Sequence, residues 1–361
     1  MSGLTFFSKV PALKKWIPLF LVLLFFSLWF PWNNRDSGSV HSSTQLAMGT
    51  LVTVSTWGTG DVDEGKKVAR IFERIRQVEA IASRQDANSP VYRINHSPQT
   101  KHVAPPEALV TIIEKGLEIR QQSQGAFDPG LASLLDLWGF THGVPEKGAL
   151  PEQNDLSAWL EKRNQFPEYG IHLNKDPNGT VTLHLDGDVF ALDLGAIAKG
   201  YALDQAMATM KQSGIQDGLI IGGGDMIIAG SKGGKPWRIG IQHPRDRDKV
   251  MAQVEVMGDM ALATSGDYER FFMVNGERQH HILDSKTGKP SRSGLISVSI
   301  QANEAMVADA LSTAVFVLGM EKGKALIEQL DGVEGMLVQE NGERWKSPQF
   351  KGQWLDEQKN D

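Results

Sequence analysis

The stretch Asp193 to Met210, Asp-Leu-Gly-Ala-Ile-Ala-Lys-Gly-Tyr-Ala-Leu-Asp-Gln-Ala-Met-Ala-Thr-Met, constrains the fold most, because the hydrophobic period changes inside it. Upstream, Val181–Leu185 and Val189–Leu194 read as two extended runs hinged at Asp186-Gly187, so a strand delivers the chain to Asp193. Downstream, Leu203, Ala206, Met207 and Met210 fall at i, i+3, i+4 and i+7, the stripe of a core-facing helix. Residues 193–199 are therefore a strand-to-helix turn. It is built from Gly195, Ala196, Ala198 and Gly200, whose minimal side chains let another group approach the backbone. Two readings stay open: the helix start binds an anion, usually phosphate, on bare N–H groups, or Asp193 caps the helix and the small residues pack it on a sheet.

A chain of 361 residues, 41% hydrophobic and 22% charged, is globular and long enough for one large domain or two intimate ones. Its net charge of -6, with no Lys/Arg run, argues against a nucleic-acid partner. The absence of cysteine removes thiol catalysis, disulfides, iron–sulfur clusters and Cys-based zinc sites. A metal must then be held by oxygen or imidazole, and with 43 Asp and Glu available the natural candidate is a hard cation such as Mg²⁺.

Residues 1–15 carry Lys9, Lys14 and Lys15 and no acid, and a largely apolar run from Ile17 to Trp32 follows. Residues 16–32 read as an export signal retained as a membrane anchor, since they lack a small-x-small cleavage site and a lipid-accepting Cys. Positive charge on the N-terminal side keeps that end in the cytoplasm and puts the rest outside. A bacterial inner-membrane protein facing the periplasm is the expectation. Residues 33–44, rich in Asn, Ser and Gly, read as a linker, residues 45–350 as the folded domain, and residues 351–361 as a polar tail.

Within the domain, Met48–Ser55 alternates as a strand, and helices are predicted from Val68 to Ile81 and from Pro106 to Gly125. Ala126-Phe-Asp-Pro-Gly130 followed by Leu137-Trp-Gly-Phe140 is either turn chemistry or a pocket wall. Gly218–Ile228 reads as a strand interrupted by Gly222-Gly223-Gly224, and it lacks the G-x-G-x-x-G spacing of a dinucleotide fingerprint. Asn275-Gly276 marks a hairpin whose second strand runs into His280-His-Ile-Leu-Asp284. In the helix Glu304–Leu318, Asp309 and Thr313 stack on one face at i, i+4. A carboxylate in so apolar a segment needs a cation, either a Lys or Arg elsewhere or a metal ion.

These segments in this order resemble the FAD:protein FMN transferase family, the ApbE proteins. The resemblance runs through Met48-Gly-Thr, Gly125-Ala-Phe-Asp-Pro, Leu137-Trp-Gly-Phe, Asp193-Leu-Gly-Ala-Ile-Ala-Lys-Gly-Tyr, Gly222-Gly-Gly-Asp, Thr264-Ser-Gly-Asp-Tyr, His281-Ile-Leu-Asp with Thr287-Gly, and Ala308-Asp-Ala-Leu-Ser-Thr. It implies an α+β fold: one large, two-lobed, T-fold-like domain with mixed sheets and FAD in the cleft. It implies FAD contacts at Met48, Ala126, Phe127, Asp128, Asp193, Lys199 and Ile282, and Mg²⁺ ligands at the Ala196 carbonyl, Asp309 and Thr313. The implied reaction is Mg²⁺-dependent transfer of FMN from FAD to a Ser or Thr hydroxyl of a partner protein, a subunit of a membrane redox complex, with release of AMP.

Histidine's chemistry and its place in the motif make His281 the candidate base, alongside Asp309 as a catalytic group; the alternative is a half-buried strand histidine bonded to Asp284. The sequence departs from the family at Arg84, where an aromatic able to stack on flavin is common, at Ser285, which replaces a Pro, and in lacking the lipobox Cys. There are two rival functions: a Mg²⁺-dependent FAD hydrolase, which would use the same residues with water as acceptor, and a periplasmic FAD-binding protein without catalysis, against which Asp309, Thr313 and His281 argue because holding FAD alone requires no base.

Overall fold

The computed structural model describes residues 38–96, 102–145, 150–166 and 168–355. The lysine-bearing start, the apolar segment, residues 33–37 and residues 356–361 lie outside them. Among the described residues no helix is long and apolar enough to cross a membrane.

The first half of the chain contains β1 (Ser39–Ala47), β2 (Thr50–Gly58), α1 (Val62–Ala82), α2 (Pro90–His96), β3 (His102–Val103), α3 (Glu107–Gln122), α4 (Ala132–Leu137), α5 (Gln153–Asn164), β4 (Ile171–Lys175), β5 (Val181–Leu185) and α6 (Ala198–Gln212). After it come β6 (Gly218–Gly222), β7 (Asp225–Ala229), β8 (Trp237–His243), β9 (Asp246–Val256), β10 (Met260–Gly266), β11 (Phe271–Val274), β12 (Glu277–His280), β13 (Leu283–Asp284), β14 (Lys289–Pro290) and β15 (Leu295–Ala302). The chain closes with α7 (Ala305–Leu318), α8 (Met320–Gln329), β16 (Glu334–Gln339), β17 (Arg344–Lys346) and β18 (Gly352–Trp354).

An eight-stranded sheet in the order β1-β2-β6-β7-β10-β15-β16-β17 organises these elements. Its apolar residues point both ways, and each face is buried. Val52, Val54, Ile220, Ala263, Val298 and Ile300 join the large core shared with α1, α6 and α7, while Leu219, Ile228, Leu262 and Met336 pack against the small sheet β18-β9-β8. A third sheet, β3-β5-β4, contributes Ile171, Leu183 and Leu185 to the large core. Gly38–Asp361 forms a single compact unit.

Several sequence expectations need correction. The sheets are antiparallel, not mixed; the one parallel contact among the described residues is an isolated bridge, Leu131 to Ala191. Short turns join several sequential strands, and such turns permit only antiparallel pairing. Ser39–Thr44, read as the end of the linker, belongs to strand β1, which pairs along its whole length with β2 at the sheet edge. Met48 is not a strand residue but the first position of the β1–β2 turn, with φ 54° followed by Gly49 at 70°, the pair of positive φ values that a type I′ hairpin requires. Gly218–Ile228 is two strands, and the folded part continues past residue 350 into β18, which pairs with β9.

Val189–Leu194 is not a regular strand either. It follows the 128–132 loop, with Ala132 N–H donating to the Ala191 carbonyl at 3.0 Å and Asp193 N–H to the Pro129 carbonyl at 2.8 Å. The period change at Asp193 nonetheless marks a real boundary, and α6 starts at Ala198. A Cβ on Gly200 would lie 2.2 Å from the Ala305 carbonyl oxygen, so only glycine lets α6 and α7 touch backbone to backbone here. Five residues beyond Lys199, Asp204 accepts the Ala305 and Met306 N–H groups at 2.7 and 2.9 Å, capping α7 from its neighbour. Two contacts thus set the position of α7 on α6.

Candidate functional site

A cavity of about 580 Å³ opens at the ends of α1, α6, β6 and β10, and its wall includes the β1–β2 turn. That is the size of small-ligand clefts in general, roughly 300–1,000 Å³. Met48, Ala126, Phe127, Asp128, Asp193, Ala196, Lys199, His281, Ile282, Asp309 and Thr313, drawn from segments far apart in sequence, all line it. Phe140 of the Leu137-Trp-Gly-Phe motif does too, which settles that motif as pocket wall; its Trp138 lies behind, donating from Nε1 to the Gly288 carbonyl at 2.8 Å.

The cavity has a charged base. Lys199 Nζ is paired with Asp225 and, at 3.1 Å, with Asp309. Of the two partners left open for Asp309 by the sequence, the lysine is the one seen. Its second oxygen accepts the Gly200 N–H at 3.1 Å, so a carboxylate of the chain itself already sits at the start of α6. Gly195 donates to Asp193 at 3.0 Å and Ala198 to the Leu194 carbonyl at 2.8 Å. The bare N–H nest expected at this helix start is therefore partly engaged. Asp193 makes a local turn and does not cap α6, whose N-cap position is Ile197.

Asp225 and Glu269 have no role in the sequence reading, although both stand in its motifs or next to them. Asp225 ends the Gly222-Gly-Gly-Asp run, where Gly223 (φ 66°) and Gly224 form the β6–β7 turn. Gly224 leaves room for the site: a Cβ there would lie 2.9 Å from the Thr264 carbonyl oxygen and 3.1 Å from Glu269 Oε1. Burial, reinforced by the charge of Asp225, raises the carboxyl of Glu269 to about 7 and that of Asp309 to about 7. Burial alone would discharge Lys199, but Asp225 and Asp309 outweigh it and hold its ammonium above the usual lysine value. The useful signal in the sequence was three glycines followed by an acid, which places a carboxylate at the mouth of a tight turn.

Thr313 Oγ1 lies 3.3 Å from Ser265 Oγ, which is in turn 2.7 Å from Ser312 Oγ. The donors lining this end of the cavity, Asp225, Glu269, Asp309 and Thr313, are all oxygens, although among the described residues no group of three or more His, Asp or Glu side chains is placed to hold a metal ion by itself. That set suits a hard divalent cation.

His281 lines the same cavity. Its backbone N–H and its Nδ1 both meet the Arg270 carbonyl, at 3.1 and 3.2 Å. A carbonyl only accepts, so Nδ1 carries the proton and Nε2 keeps its lone pair. The alternative bond to Asp284 is not made; Asp284 Oδ1 accepts the Lys286 N–H at 2.9 Å instead. Burial, with Arg270 nearby, holds the imidazole well below its ordinary pKa, so it is neutral at pH 7.

Two further residues behave differently from simple cofactor contacts. The Asp128 side chain is fully buried and bound by Arg163, by the Tyr169 hydroxyl, and by the Gly130 N–H at 2.8 Å, with Arg120 at 3.8 Å. Arg84 pairs with Asp193 and Asp136, each at 2.8 Å, which fixes its guanidinium plane on the cavity wall. Ser285 Oγ donates to the Gly125 carbonyl at 3.2 Å, a bond that proline cannot make.

The sequence pattern of the ApbE family matches residues 48–337, and the chain belongs to that family. Among its relatives, an FAD:protein FMN transferase of Klebsiella pneumoniae (strain 342) is 30% identical over 84% of this chain and 86% of its own length. One of Escherichia coli (strain K12) is 31% identical over 84% and 86%. Among solved structures, the ApbE protein of Thermotoga maritima superposes with a TM-score of 0.76 at 32% identity, covering 87% of this chain and 99% of that one. The flavinyl transferase ApbE of Pseudomonas stutzeri in its apo form gives 0.73 at 30%, covering 88% and 97%. The α+β fold is that of these proteins, and the chain is an enzyme of the flavin transferase class, acting on a protein.

Proposed function

We propose that this enzyme transfers FMN from FAD to a Ser or Thr hydroxyl of an acceptor protein, with Mg²⁺, forming a phosphoester and releasing AMP. One observation carries the reading: an oxygen-rich base with more carboxylates than cations and a neutral histidine line a single cavity. Asp309, Thr313 and the Ala196 carbonyl are the proposed Mg²⁺ ligands. Bound there, the ion supplies neutralisation of the diphosphate charge, the chief demand of phosphoryl transfer.

The chain's own groups do the rest. Lys199 pairs with phosphate oxygens, and Met48, Ala126, Phe127, Asp128, Asp193 and Ile282 shape the FAD cleft. Asp128 does so through its backbone and position, because its carboxylate oxygens are already bound. The flat guanidinium of Arg84 offers the flavin a stacking surface. His281 Nε2 takes the proton of the attacking hydroxyl. The hydroxyl oxygen bonds to the phosphorus on the riboflavin side, and the bond from that phosphorus to the bridging oxygen breaks, so AMP leaves with the electron pair. We further propose that the N-terminal segment holds the enzyme on the bacterial inner membrane, facing the periplasm, where the acceptor is a subunit of a membrane redox complex.

The test is to incubate the protein with FAD and Mg²⁺, with and without periplasmic domains of redox subunits carrying an exposed Thr. The acceptor should gain one FMN less a water, AMP should appear in step, and changing the acceptor Thr to Val should erase both. AMP release at the same rate without any acceptor, and with no flavinylated protein, would replace this reading with FAD hydrolysis. Terminal sequencing of the mature protein checks the anchor: a start between Trp32 and Thr44 defeats it.

A further inference from the structure

We propose that Lys199 is a resident counter-ion that Mg²⁺ displaces: its ammonium holds Asp225 and Asp309 in the metal-free protein and is released toward the phosphates of FAD when the divalent ion enters. The inference rests on the metal and FAD assignments above, and it adds a consequence they do not contain. Mg²⁺ and FAD should bind with positive coupling through one side chain.

Three features support it. Lys199 Nζ lies between two carboxylates whose side chains are 3% and 4% exposed, while its own side chain is 30% exposed and lines the cavity. The lysine side chain therefore borders the cavity while its two partners barely reach solvent. Second, Glu269 brings a third carboxylate, so acids outnumber cations even when Arg270 on the same wall is counted. One ammonium leaves that surplus unmet, and a divalent ion meets it better. Third, the residue is lysine. A compact charge on a flexible stem can leave two carboxylates and keep its hydration, whereas a guanidinium fork would stay bidentate.

Asp225 is then a positioning residue: it fixes Lys199 and leaves the FAD contact to Lys199 itself. Any effector that changes affinity for a second ligand is changed by it in turn by the same factor. Release of Lys199 by Mg²⁺ must therefore appear as tighter FAD binding, and FAD must tighten Mg²⁺ equally.

The experiment titrates Mg²⁺ alone by calorimetry, and FAD by flavin fluorescence in EDTA and in Mg²⁺, for wild type, Lys199→Met, Lys199→Arg and Asp225→Asn. In wild type, Mg²⁺ should bind weakly alone and tighten FAD by about tenfold, within the usual range of such couplings. Lys199→Met should bind Mg²⁺ alone about tenfold more tightly than wild type, and its FAD affinity should gain little from the metal. Lys199→Arg should keep Mg²⁺ binding weak. Asp225→Asn, which leaves the ammonium only Asp309 as a charged partner and so loosens it, should tighten FAD in EDTA, and this outcome is readable even if Lys199→Met does not fold.

If wild type binds Mg²⁺ with FAD but Lys199→Met binds Mg²⁺ alone no more tightly, or Asp225→Asn weakens FAD in EDTA, displacement is wrong while the metal assignment stands. If wild type takes up no Mg²⁺ even with FAD, both fall.

Discussion

Two buried acidic clusters border the same cleft and resolve their charge in opposite ways. Around Asp128, one carboxylate is surrounded by Arg163, Arg120 and Tyr169, with Arg120 also lying 3.5 Å above the Tyr169 ring. Around Lys199, one ammonium serves Asp225 and Asp309, with Glu269 beside them. The first cluster has more donors than its carboxylate needs and is closed. The second has more acceptors than its cation can satisfy and is open to a ligand. Family resemblance marks Asp128 and Asp309 alike as site residues; the partners show that one is held by surplus donors in the wall and the other shares its cation with a second acid.

The sharpest way to break this contrast is to delete each carboxylate. Asp128→Ala should leave the guanidinium of Arg163 buried without its partner and cost about 3–5 kcal/mol of stability, measured by chemical denaturation. Asp309→Ala should instead leave the protein folded, since it relieves crowding of like charge, and lower AMP release by about 10²–10³-fold. Equal loss of stability in both variants would erase the distinction. Next in size, His281→Ala should slow transfer by about 10²-fold, the lower range for loss of a general base, with FAD affinity little changed by fluorescence titration.

A smaller effect sharpens the contrast through pH. The folded-state carboxyl of Glu269 is raised from 4.5 to about 7, so the folded protein holds a proton that the unfolded chain gives up. Its contribution to stability is present below pH 4.5, declines as pH rises through the window, and is gone above pH 7. In EDTA, Glu269→Gln should flatten the fall in melting temperature between pH 5 and 7. A melting curve as steep as wild type in Glu269→Gln would remove Glu269 from the open cluster.

Much of this was legible in the sequence where a pattern is local. The stripe of α6, the Asn275-Gly276 hairpin, and Asp309 above Thr313 on α7 all follow from spacings of a few residues. The clusters were not legible, because their members meet only across the fold. Asp128 finds Arg120 on α3 and Arg163 on α5; Asp225 finds Lys199 across the sheet and Glu269 after β10. Local errors have local reasons too. Strand β1 is polar because an edge strand needs only one neighbour, so Ser and Thr disguised it as linker. Val189–Leu194 is apolar because it is buried, yet its backbone pairs with a loop and makes no ladder.

The two-point attachment of α7 to α6 has a mechanical consequence. Gly200 brings the backbones together at one place, and Asp204 grips the first N–H groups of α7 close by. A single contact would leave the helices free to pivot; two remove rotation and sliding together. Lys199 and Asp309 are carried on this joint, so the separation of their backbones is set by main-chain geometry. The enzyme can therefore exchange what lies between them without bending the frame that holds them.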